Sequence, residues 1–291
     1  MKIAVHCKAF EKEKVPVIQE IFNELRANRV HIQISKLFKN YLEREKLNFP
    51  YDSVFQTPHQ LKDTSVVLSV GGDGTFLETI TLVREVDVPI LGINIGRLGF
   101  LATLSADRIS EGLQMVFDKK YTIDERSMLR LESNTQIFGS ANFALNELSI
   151  TKRDSASMII VHTYLDEEYM NSYWADGLIV ATPTGSTGYS LSVGGPVVVP
   201  HSSNFVIAPI SPHNLNIRPL VVPDNCKIRF EIEGRSKNFL VSLDSRSLTV
   251  DASIQLAVKK CEFSAKLIRL EGEKFLNTLR KKVNWGMDSR N

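Results

Sequence analysis

The segment at residues 65–83 constrains the fold of this chain most, because it predicts a buried strand followed directly by a helix. The strand is predicted from an apolar run rich in β-branched residues, formed by Val66, Val67, Leu68 and Val70. Three apolar residues then recur at helical spacing: Phe76, Ile80 and Val83. The intervening Gly71-Gly72-Asp73-Gly74-Thr75 is therefore predicted to be a strand-to-helix turn.

This turn has the composition of a phosphate-binding loop that carries a carboxylate at its centre. Gly71, Gly72 and Gly74 allow unusual backbone angles and a close approach by a ligand, and the amides at a helix start attract anions. Because a carboxylate in a phosphate site needs its own explanation, we expect Asp73 to act on a hydroxyl or to hold a metal. The loop lacks the lysine of a Walker A motif and does not read G-x-G-x-x-G.

Three structural interpretations compete with a functional role for this loop. Asp73-Gly74 could form a hairpin turn, although the residues that follow have helical rather than alternating spacing. Asp73 could only cap the helix, and the glycines could form an ordinary tight connection. The loop by itself leaves these alternatives open.

The composition predicts a globular protein with room for two domains. The chain has 291 residues, 43% of them hydrophobic, and a formal net charge of +2, so we expect neither nucleic acid nor a membrane as a partner. Three widely spaced cysteines and six histidines without metal spacing fit a reducing compartment and no zinc site. No signal-like or long apolar segment is found, so the expected location is the cytoplasm. The basic cluster Arg280-Lys281-Lys282 is interpreted as a solvated helix end.

Strands that alternate with helices predict an α/β first domain at residues 1–120 with a parallel sheet. Strands are expected at 3–7, 31–34, 66–70 and 89–95, helices around 16–25, 37–42, 76–83 and 109–117, and a polar loop at 48–60. Ligands of such sheets bind at the carboxyl ends of the strands. Both Gly-rich loops, residues 71–75 and 96–101, are expected there.

A second, mostly β domain is predicted at residues 121–270, because short strand-like runs replace the helical spacing. The clearest runs are at 158–165, 177–181, 205–210, 227–232, 239–243 and 254–258. Phe275, Leu276 and Leu279 predict a short closing helix in a C-terminal segment at 271–291.

Polar residues at three places in this β domain are candidates for ligand binding. Asn146-Glu147 lies inside an apolar run, where one side chain faces inward and needs partners, unless the pair is an exposed strand end. Asp176-Gly177 precedes a strand, after which residues 182–190 form a hydroxyl-rich loop suited to the polar edges of a nucleotide. Tyr189 could stack there, and an ordinary Ser/Thr-rich turn is the alternative. Asp244 is interpreted as a turn residue.

Together these motifs resemble the NAD kinase family, which phosphorylates the adenosine ribose 2′-hydroxyl of NAD to make NADP. The resemblance covers nearly the whole chain and is carried, in order, by Gly71-Gly72-Asp73-Gly74-Thr75, Gly96-Arg97-Leu98-Gly99-Phe100-Leu101, Asn146-Glu147, Asp176-Gly177, residues 182–190 and Phe275-Leu276-Asn277-Thr278-Leu279. The Gly-Gly-Asp-Gly-Thr loop alone is shared with diacylglycerol-type lipid kinases and resembles phosphofructokinase loops. The conjunction is far more specific.

The resemblance implies an α/β domain with a parallel Rossmann-like sheet, a sandwich-like β domain and a C-terminal segment that packs back on the first domain. It implies that Asp73 is the general base and that Gly71, Gly72, Gly74 and Thr75 form the phosphate loop. The implied NAD-binding residues are Asp73, Gly74, Phe100, Asn146, Glu147, Trp174, Asp176, Thr184, Thr187, Gly188, Tyr189, Ser190, Leu191, Ser192 and Arg246.

By the same resemblance, Asp176 reaches the nicotinamide ribose end, in many members across a subunit boundary. Members are homodimers or homotetramers and transfer phosphate from ATP, in some cases from polyphosphate, with a divalent cation; Mg²⁺ is expected here, and its ligands are not assigned. Glu78 and Trp174 stand where many members carry basic residues, Gly188 where Ala is common and Arg246 where some have Gln. Two alternatives stay open: a lipid kinase, and a non-catalytic NAD- or NADP-binding sensor.

Overall fold

The protein is described by a computed structural model that covers residues 1–97, 99–153 and 157–283. Two compact units make up the chain: Met1–Glu125 with the chain from Ala265 onward, and Arg126–Ser264. Leu98 of the second Gly-rich loop and residues 284–291 of the predicted C-terminal segment lie outside the described residues.

Strands of the first unit alternate with helices. Its first strands are β1 Lys2–Cys7, β2 His31–Ser35, β3 Ser53–Phe55, β4 Val66–Gly71, β5 Ile90–Asn94, β6 Leu104–Ser105 and β7 Tyr121–Arg126. Its helices are α1 Val15–Ala27, α2 Lys36–Glu45, α3 Asp73–Val83 and α4 Ile109–Phe117. Short 3₁₀ turns lie at Lys12–Lys14, Pro58–Leu61 and Ala106–Arg108.

The second unit is built of strands with little helix. These are β8 Leu129–Ser133, β9 Phe143–Ala144, β10 Glu147–Lys152, β11 Ile159–Leu165, β12 Glu168–Ala175, β13 Gly177–Ala181, β14 Asn204–Ile210, β15 Leu220–Pro223, β16 Ile228–Gly234, β17 Asn238–Leu243, β18 Arg246–Asp251 and β19 Leu256–Lys260. The helical pieces are 3₁₀ turns at Gly139–Ala141 and Thr184–Thr187, and α5 at Tyr189–Ser192. The chain then returns to the first unit through β20 Ala265–Leu270 and α6 Phe275–Val283.

The first unit forms one sheet in the order β3-β2-β1-β4-β5-β20-β7, with β6 beside β5. β1 pairs in parallel with β2 and β4, and β5 pairs in parallel with β4 and β20. All six residues of β4 are buried, which agrees with its continuous apolar run. In α1, the apolar stripe Ile18, Ile21, Phe22 and Leu25 is buried against the same core.

In the second unit, two six-stranded antiparallel sheets enclose a shared core. Their strand orders are β15-β14-β13-β10-β17-β18 and β12-β11-β16-β19-β8-β9. Buried side chains from both sheets, such as Leu148, Phe205, Phe230 and Phe239, belong to one apolar cluster. The two units confirm the predicted fold class, a parallel α/β arrangement with a mostly β, sandwich-like partner.

Some elements differ from the sequence prediction. The polar loop expected at 48–60 contains β3 and a 3₁₀ turn, since a three-residue strand is too short to show a period. Residues 265–270, which the sequence predicts to belong to the β domain, form β20 beside β5 of the first unit, because a strand pattern does not specify the sheet that the strand joins. Among the described residues, no helix is long and apolar enough to cross a membrane.

Candidate active site

The predicted strand-to-helix turn lies where β4 ends. β4 ends at Gly71, Gly72 precedes the helix with an extended backbone (φ −103°), and α3 begins at Asp73. Phe76, Ile80 and Val83 are buried on one face of α3, so the hairpin interpretation is wrong. The capping interpretation is also wrong, because the Asp73 side chain makes no capping bond in α3.

Only one of the three loop glycines is required by the chain's own packing. A Cβ at Gly71 would lie 2.3 Å from Thr75 Oγ1, and Gly71 alone among the three has a positive φ, +155°. A Cβ at Gly72 or Gly74 would meet no described atom within 4 Å. These two glycines therefore face open space at the start of α3, on the side where a ligand has room to approach.

The Asp73 carboxylate is held by three consecutive backbone amides of the second Gly-rich loop. The Phe100 N–H donates to Oδ2 at 2.9 Å, and the N–H groups of Leu101 and Ala102 donate to Oδ1 at 3.0 and 3.2 Å. Burial raises the pKa of Asp73, but these bonds and the nearby Lys282 charge outweigh it and lower the pKa below its ordinary value. Asp73 is therefore an anion at neutral pH.

Helix α6 brings a fourth donor to this carboxylate. Lys282 Nζ lies 3.2 Å from Asp73 Oδ2 and 4.6 Å from the centre of the Phe100 ring. Phe100 also packs against Phe275 at the start of α6, with ring centres 6.4 Å apart. The interpretation of the basic cluster as a solvated helix end is thus wrong for Lys282. Asp73 and Lys282 are 209 positions apart, and no residue spacing predicts a contact over that separation.

Two further residues shape the loop around Asp73. A Cβ at Gly99 would lie 1.9 Å from Asp73 Oδ1, so only glycine fits there without displacing the carboxylate. Asn94, buried at the end of β5, accepts the Gly96 N–H at 2.7 Å and donates to the Arg97 carbonyl at 2.5 Å. Sequence reasoning missed Asn94, although a polar residue at the end of an apolar strand was its signal.

Glu78, at a position where the resemblance implies a basic residue, has partners within its own unit. Its Oε2 lies 3.3 Å from His6 Nε2 and 4.0 Å from Lys8 Nζ. The buried His6 ring also contacts Ser35 Oγ at 2.7 Å through Nδ1. The hydrogen bond from His6 is the largest influence on Glu78 and lowers its pKa. Glu78 therefore links α3 to β1 as an anion.

In the second unit, Asn146 and Glu147 are positioned by Asp244. This aspartate lies in the turn between β17 and β18, as predicted, with a left-handed backbone (φ +53°). Its carboxylate accepts the N–H groups of Leu145, Asn146 and Glu147 at 3.0, 2.8 and 3.2 Å. The sequence identified the turn but not this second use of the side chain.

The Glu147 carboxyl has a raised pKa. Burial, followed by the charge of Asp244, raises the pKa of Glu147 to about 8, while the N–H of Tyr189 opposes the shift. Its Oε2 is buried and accepts no hydrogen bond from the described residues. A Cβ at Gly188 would lie 2.9 Å from that oxygen, so glycine at this position leaves space beside it. At neutral pH Glu147 is largely a neutral acid.

The hydroxyl-rich segment 182–190 is more regular than the predicted loop. It folds as the 3₁₀ turn Thr184–Thr187 followed by α5, and it packs on Asn146, where a Cβ at Gly185 would lie 2.1 Å from the Asn146 carbonyl. Thr184 is buried and accepts from Arg126 at 3.2 Å, and Ser190 is fully buried. Tyr189 and Ser192 are exposed, and Thr187, Gly188 and Leu191 are half-buried.

The structure brings Asn146, Glu147, Gly188 and Tyr189 together, but it separates Asp176 from them. Glu147 pairs with Ala181 at one end of β13, while Asp176 precedes its other end and binds Lys152 at 2.6 Å. Five residues of antiparallel strand span about 17 Å. Within one chain Asp176 therefore lies far from Glu147.

Trp174 and Arg246 complete the predicted set of binding residues. Trp174 on β12 is 48% exposed and lines a cavity of about 760 Å³ with Met158 and Ile160. Arg246 donates to the carbonyls of Ala141 and Phe143 and is half-buried. Its guanidinium therefore forms hydrogen bonds within the protein.

The described residues contain no group of three or more His, Cys, Asp or Glu side chains that could hold a metal ion. The cysteines Cys7, Cys226 and Cys261 are buried and form no disulfide.

Comparison with known proteins follows the same two-part division. Residues 3–121 match the family described as the ATP-NAD kinase N-terminal domain, and residues 145–270 match the ATP-NAD kinase C-terminal domain. The chain is 47% identical over 292 residues to an NAD kinase of Cytophaga hutchinsonii and 47% identical over 294 residues to one of Flavobacterium psychrophilum. Both alignments cover 100% of each chain.

Two solved structures share the fold. Yeast NADH kinase complexed with NADH superposes with a TM-score of 0.86 at 22% identity, covering 99% of this chain and 89% of that one. An Archaeoglobus fulgidus NAD kinase in complex with ATP superposes with a TM-score of 0.75 at 29% identity, covering 98% of this chain and 99% of that one.

The parallel α/β unit with its Asp-bearing Gly-rich loop and the antiparallel β unit, together with the two family matches, identify the chain as a kinase, an enzyme of the phosphotransferase class. Within this class the match is full-length and specific. The chain belongs to the NAD kinase family. This assignment leaves the lipid-kinase alternative without support.

Proposed function

We propose that this protein transfers the γ-phosphoryl group of ATP to the 2′-hydroxyl of the adenosine ribose of NAD, giving NADP. The observation that supports this most is the fixed carboxylate anion of Asp73 at the start of α3, beside two glycines that face open space. Helix starts favour phosphate, and the carboxylate supplies an acceptor for a hydroxyl proton. The ATP-bound and NADH-bound relatives are consistent with these substrates.

In the proposed step, Asp73 acts as a general base that also aligns the nucleophile. The ribose oxygen forms a bond to the γ-phosphorus, the bond from that phosphorus to the ADP oxygen breaks, and the hydroxyl proton passes to Asp73. Because its backbone amide bonds stabilise the anion, Asp73 is a weak base that takes the proton late. Such catalysis contributes typically about 10²–10⁴-fold, and alignment of hydroxyl and phosphoryl supplies much of the rest.

The divalent cation is proposed to enter as part of the substrate MgATP. Mg²⁺ is commonly bound through substrate phosphates with one or two carboxylates rather than by an all-protein cage, which agrees with the described residues. When bound, it would neutralise charge on the phosphates. Gly71, Gly72, Gly74 and Thr75 are proposed to form the loop that faces these phosphates.

For the adenosine part of NAD we propose Phe100, Asn146, Glu147 and the segment 184–192 as contacts. Trp174 and Asp176 are proposed to contact the nicotinamide ribose end of an NAD molecule bound to another subunit. The separation of about 17 Å between Asp176 and Glu147 along β13 supports this arrangement. We therefore propose a homodimer or homotetramer, which light scattering on the purified protein would identify.

The proposal is tested by incubating the purified protein with NAD, ATP and Mg²⁺ and measuring NADP with an NADP-specific dehydrogenase. The wild type is expected to form NADP, and Asp73→Asn is expected to lose most turnover. An amide at position 73 would turn an N–H₂ group toward backbone donors that now bind the carboxylate, which could disturb the loop. Calorimetry of NAD binding and far-UV circular dichroism therefore serve as controls for binding and for the fold.

Near-normal turnover by Asp73→Asn would remove the general-base role while leaving the reaction in place. If the wild type makes no NADP from ATP, polyphosphate is tried as the donor. Tight NAD binding without turnover from either donor would contradict the kinase proposal and leave a binding protein.

A further inference from the structure

Phosphoryl transfer demands positive charge near the reacting group, and the Gly-rich loop contains none. Charge spreads over the oxygens of the phosphoryl group in transit, and enzymes stabilise it with lysine, arginine or metal ions. Residues 71–75 carry an aspartate and no cation. The loop offers backbone amides to the phosphates but no side-chain cation to stabilise the charge that develops on the transferring group.

Lys282 is the cation nearest to the Asp73 carboxylate in the described structure. Its Nζ lies 3.2 Å from Oδ2, and its side chain is 32% exposed, against 27% for Asp73. The ammonium also lies over the Phe100 ring, so it is in contact with a proposed NAD contact as well as with the proposed base. The ion pair is thus accessible from solvent rather than enclosed in a core.

The hydrogen bonds of Asp73 leave no free acceptor position for a substrate hydroxyl. An ionised carboxylate has about four lone-pair sites. Four donors approach Asp73: the N–H groups of residues 100–102 and Lys282 Nζ. Three of these donors are fixed in the backbone, and only the lysine can rotate away. A hydroxyl that binds Asp73 must therefore take the place of Lys282.

We propose that Lys282 is a catalytic residue that moves from Asp73 to the transferring phosphoryl group when substrates bind. Its ammonium donates N–H bonds to the phosphoryl oxygens and gives up no proton, while Asp73 accepts the proton of the hydroxyl. The substrate hydroxyl binds at Asp73 Oδ2, the atom that Lys282 Nζ contacts in this structure. The phosphorus that bonds to the hydroxyl oxygen therefore comes within reach of the Lys282 side chain. Helix α6 thereby supplies the cation that the loop lacks. This inference rests on the proposed kinase reaction.

The test is steady-state kinetics of full-length Lys282→Met, with Lys281→Met as the matched control. Lys281 neighbours Lys282 on α6 and is exposed, and it makes no contact with Asp73 among the described residues. Lys282→Met is expected to lose about 10²-fold or more in kcat, the loss typical of removing one donor to a developing oxyanion, with little change in the KM for NAD. Lys282→Arg is expected to retain part of the rate, and Lys281→Met all of it.

A charge-rescue experiment separates catalysis from support of α6. Lys282→Cys is alkylated with 2-bromoethylamine, which forms a thioether that ends in an ammonium; the native cysteines are buried, so the introduced thiol is the accessible one. Recovery of kcat on alkylation, with an unchanged melting temperature, is the expected result. Lys281→Cys treated in the same way should show no change.

Different outcomes separate this inference from the proposed function. An active wild type with an equally active Lys282→Met would overturn the role of Lys282 alone, and a faster Lys282→Met would show that the lysine only blocks Asp73. Failure of alkylation to restore a low kcat would also contradict the inference. A wild type that makes no NADP from any donor would overturn the proposed function itself.

Discussion

At the scale of single residues, two aspartates use the same device in the two units with opposite results. Asp73 and Asp244 each accept three consecutive backbone N–H groups. Burial raises the pKa of both. At Asp73 the amide bonds and the Lys282 charge outweigh burial and lower the pKa, whereas at Asp244 burial outweighs the amide bonds and the pKa is raised. Burial and neighbouring charge, rather than the number of hydrogen bonds, therefore decide the direction in which the pKa of each aspartate shifts.

The same balance makes the stability of the protein depend on Glu147 and on pH. Its pKa is raised from 4.5 to about 8 on folding, so between these values the folded chain holds a proton that the unfolded chain has lost. Raising the pH through this window therefore favours unfolding. Glu147→Gln carries a neutral group at every pH, so it does not show this loss of unfolding free energy as the pH rises.

We expect the unfolding free energy of Glu147→Gln minus that of the wild type to increase as pH rises from 5 to about 8, in line with this pKa. Urea denaturation at several pH values measures the difference. Glu233→Gln, an exposed glutamate of the same unit, is the control. A difference that stays constant over the whole window would show that Glu147 is ionised in the folded protein.

At the scale of elements, the turn between β17 and β18 holds the start of β10. The Asp244 carboxylate is the bonding partner of three N–H groups there, and a buried donor left without a partner costs about 1–3 kcal/mol. We expect Asp244→Gly to lose about 3 kcal/mol of unfolding free energy, because three donors lose their partner. Glycine accepts the left-handed backbone at this position without strain, so the loss measures the carboxylate.

Two further variants sharpen that measurement by urea denaturation. Asp244→Asn keeps an acceptor oxygen and tolerates the left-handed backbone, so it should lose less, about 1 kcal/mol. Ser245→Gly, at the exposed neighbouring position, measures the cost of an added glycine in the turn. Equal losses in all three variants would mean that the amide bonds to Asp244 contribute nothing.

The sequence predicts an element well where its apolar residues repeat at the spacing of a strand or a helix. It predicts poorly the contacts between residues that are far apart in the chain. Residues 66–83 specify β4 and α3 because a buried strand and an amphipathic helix leave local patterns. The role implied for Asp73 by family resemblance remains a prediction, and the partners of its carboxylate were not predictable. The amides of residues 100–102 and Lys282 reach it through tertiary packing, which leaves no spacing signal. Asp244 was identified as a turn residue, but its bonds to residues 145–147 lie about a hundred positions away.

At the scale of the whole molecule, the two units differ in how the chain builds them. The second unit is one continuous segment, Arg126–Ser264, and all members of its main apolar cluster lie between Leu129 and Val258. The first unit needs two segments, since β20 pairs with β5 and contributes Ile268 and Leu270 to its core. Contiguity of the core therefore predicts which part of the chain can fold by itself.

We expect a fragment of residues 126–264 to fold alone, and a fragment of residues 1–125 to fold only when residues 265–291 are supplied. Without β20, the first fragment would expose the part of the β5 edge that β20 covers and would lose part of its apolar core, and both changes destabilise a sheet protein. Urea unfolding followed by far-UV circular dichroism measures cooperativity for each fragment, and adding the 265–291 peptide in trans should restore it for the first. A cooperative transition of residues 1–125 alone, or none for residues 126–264, would contradict the division of the core on which this expectation rests.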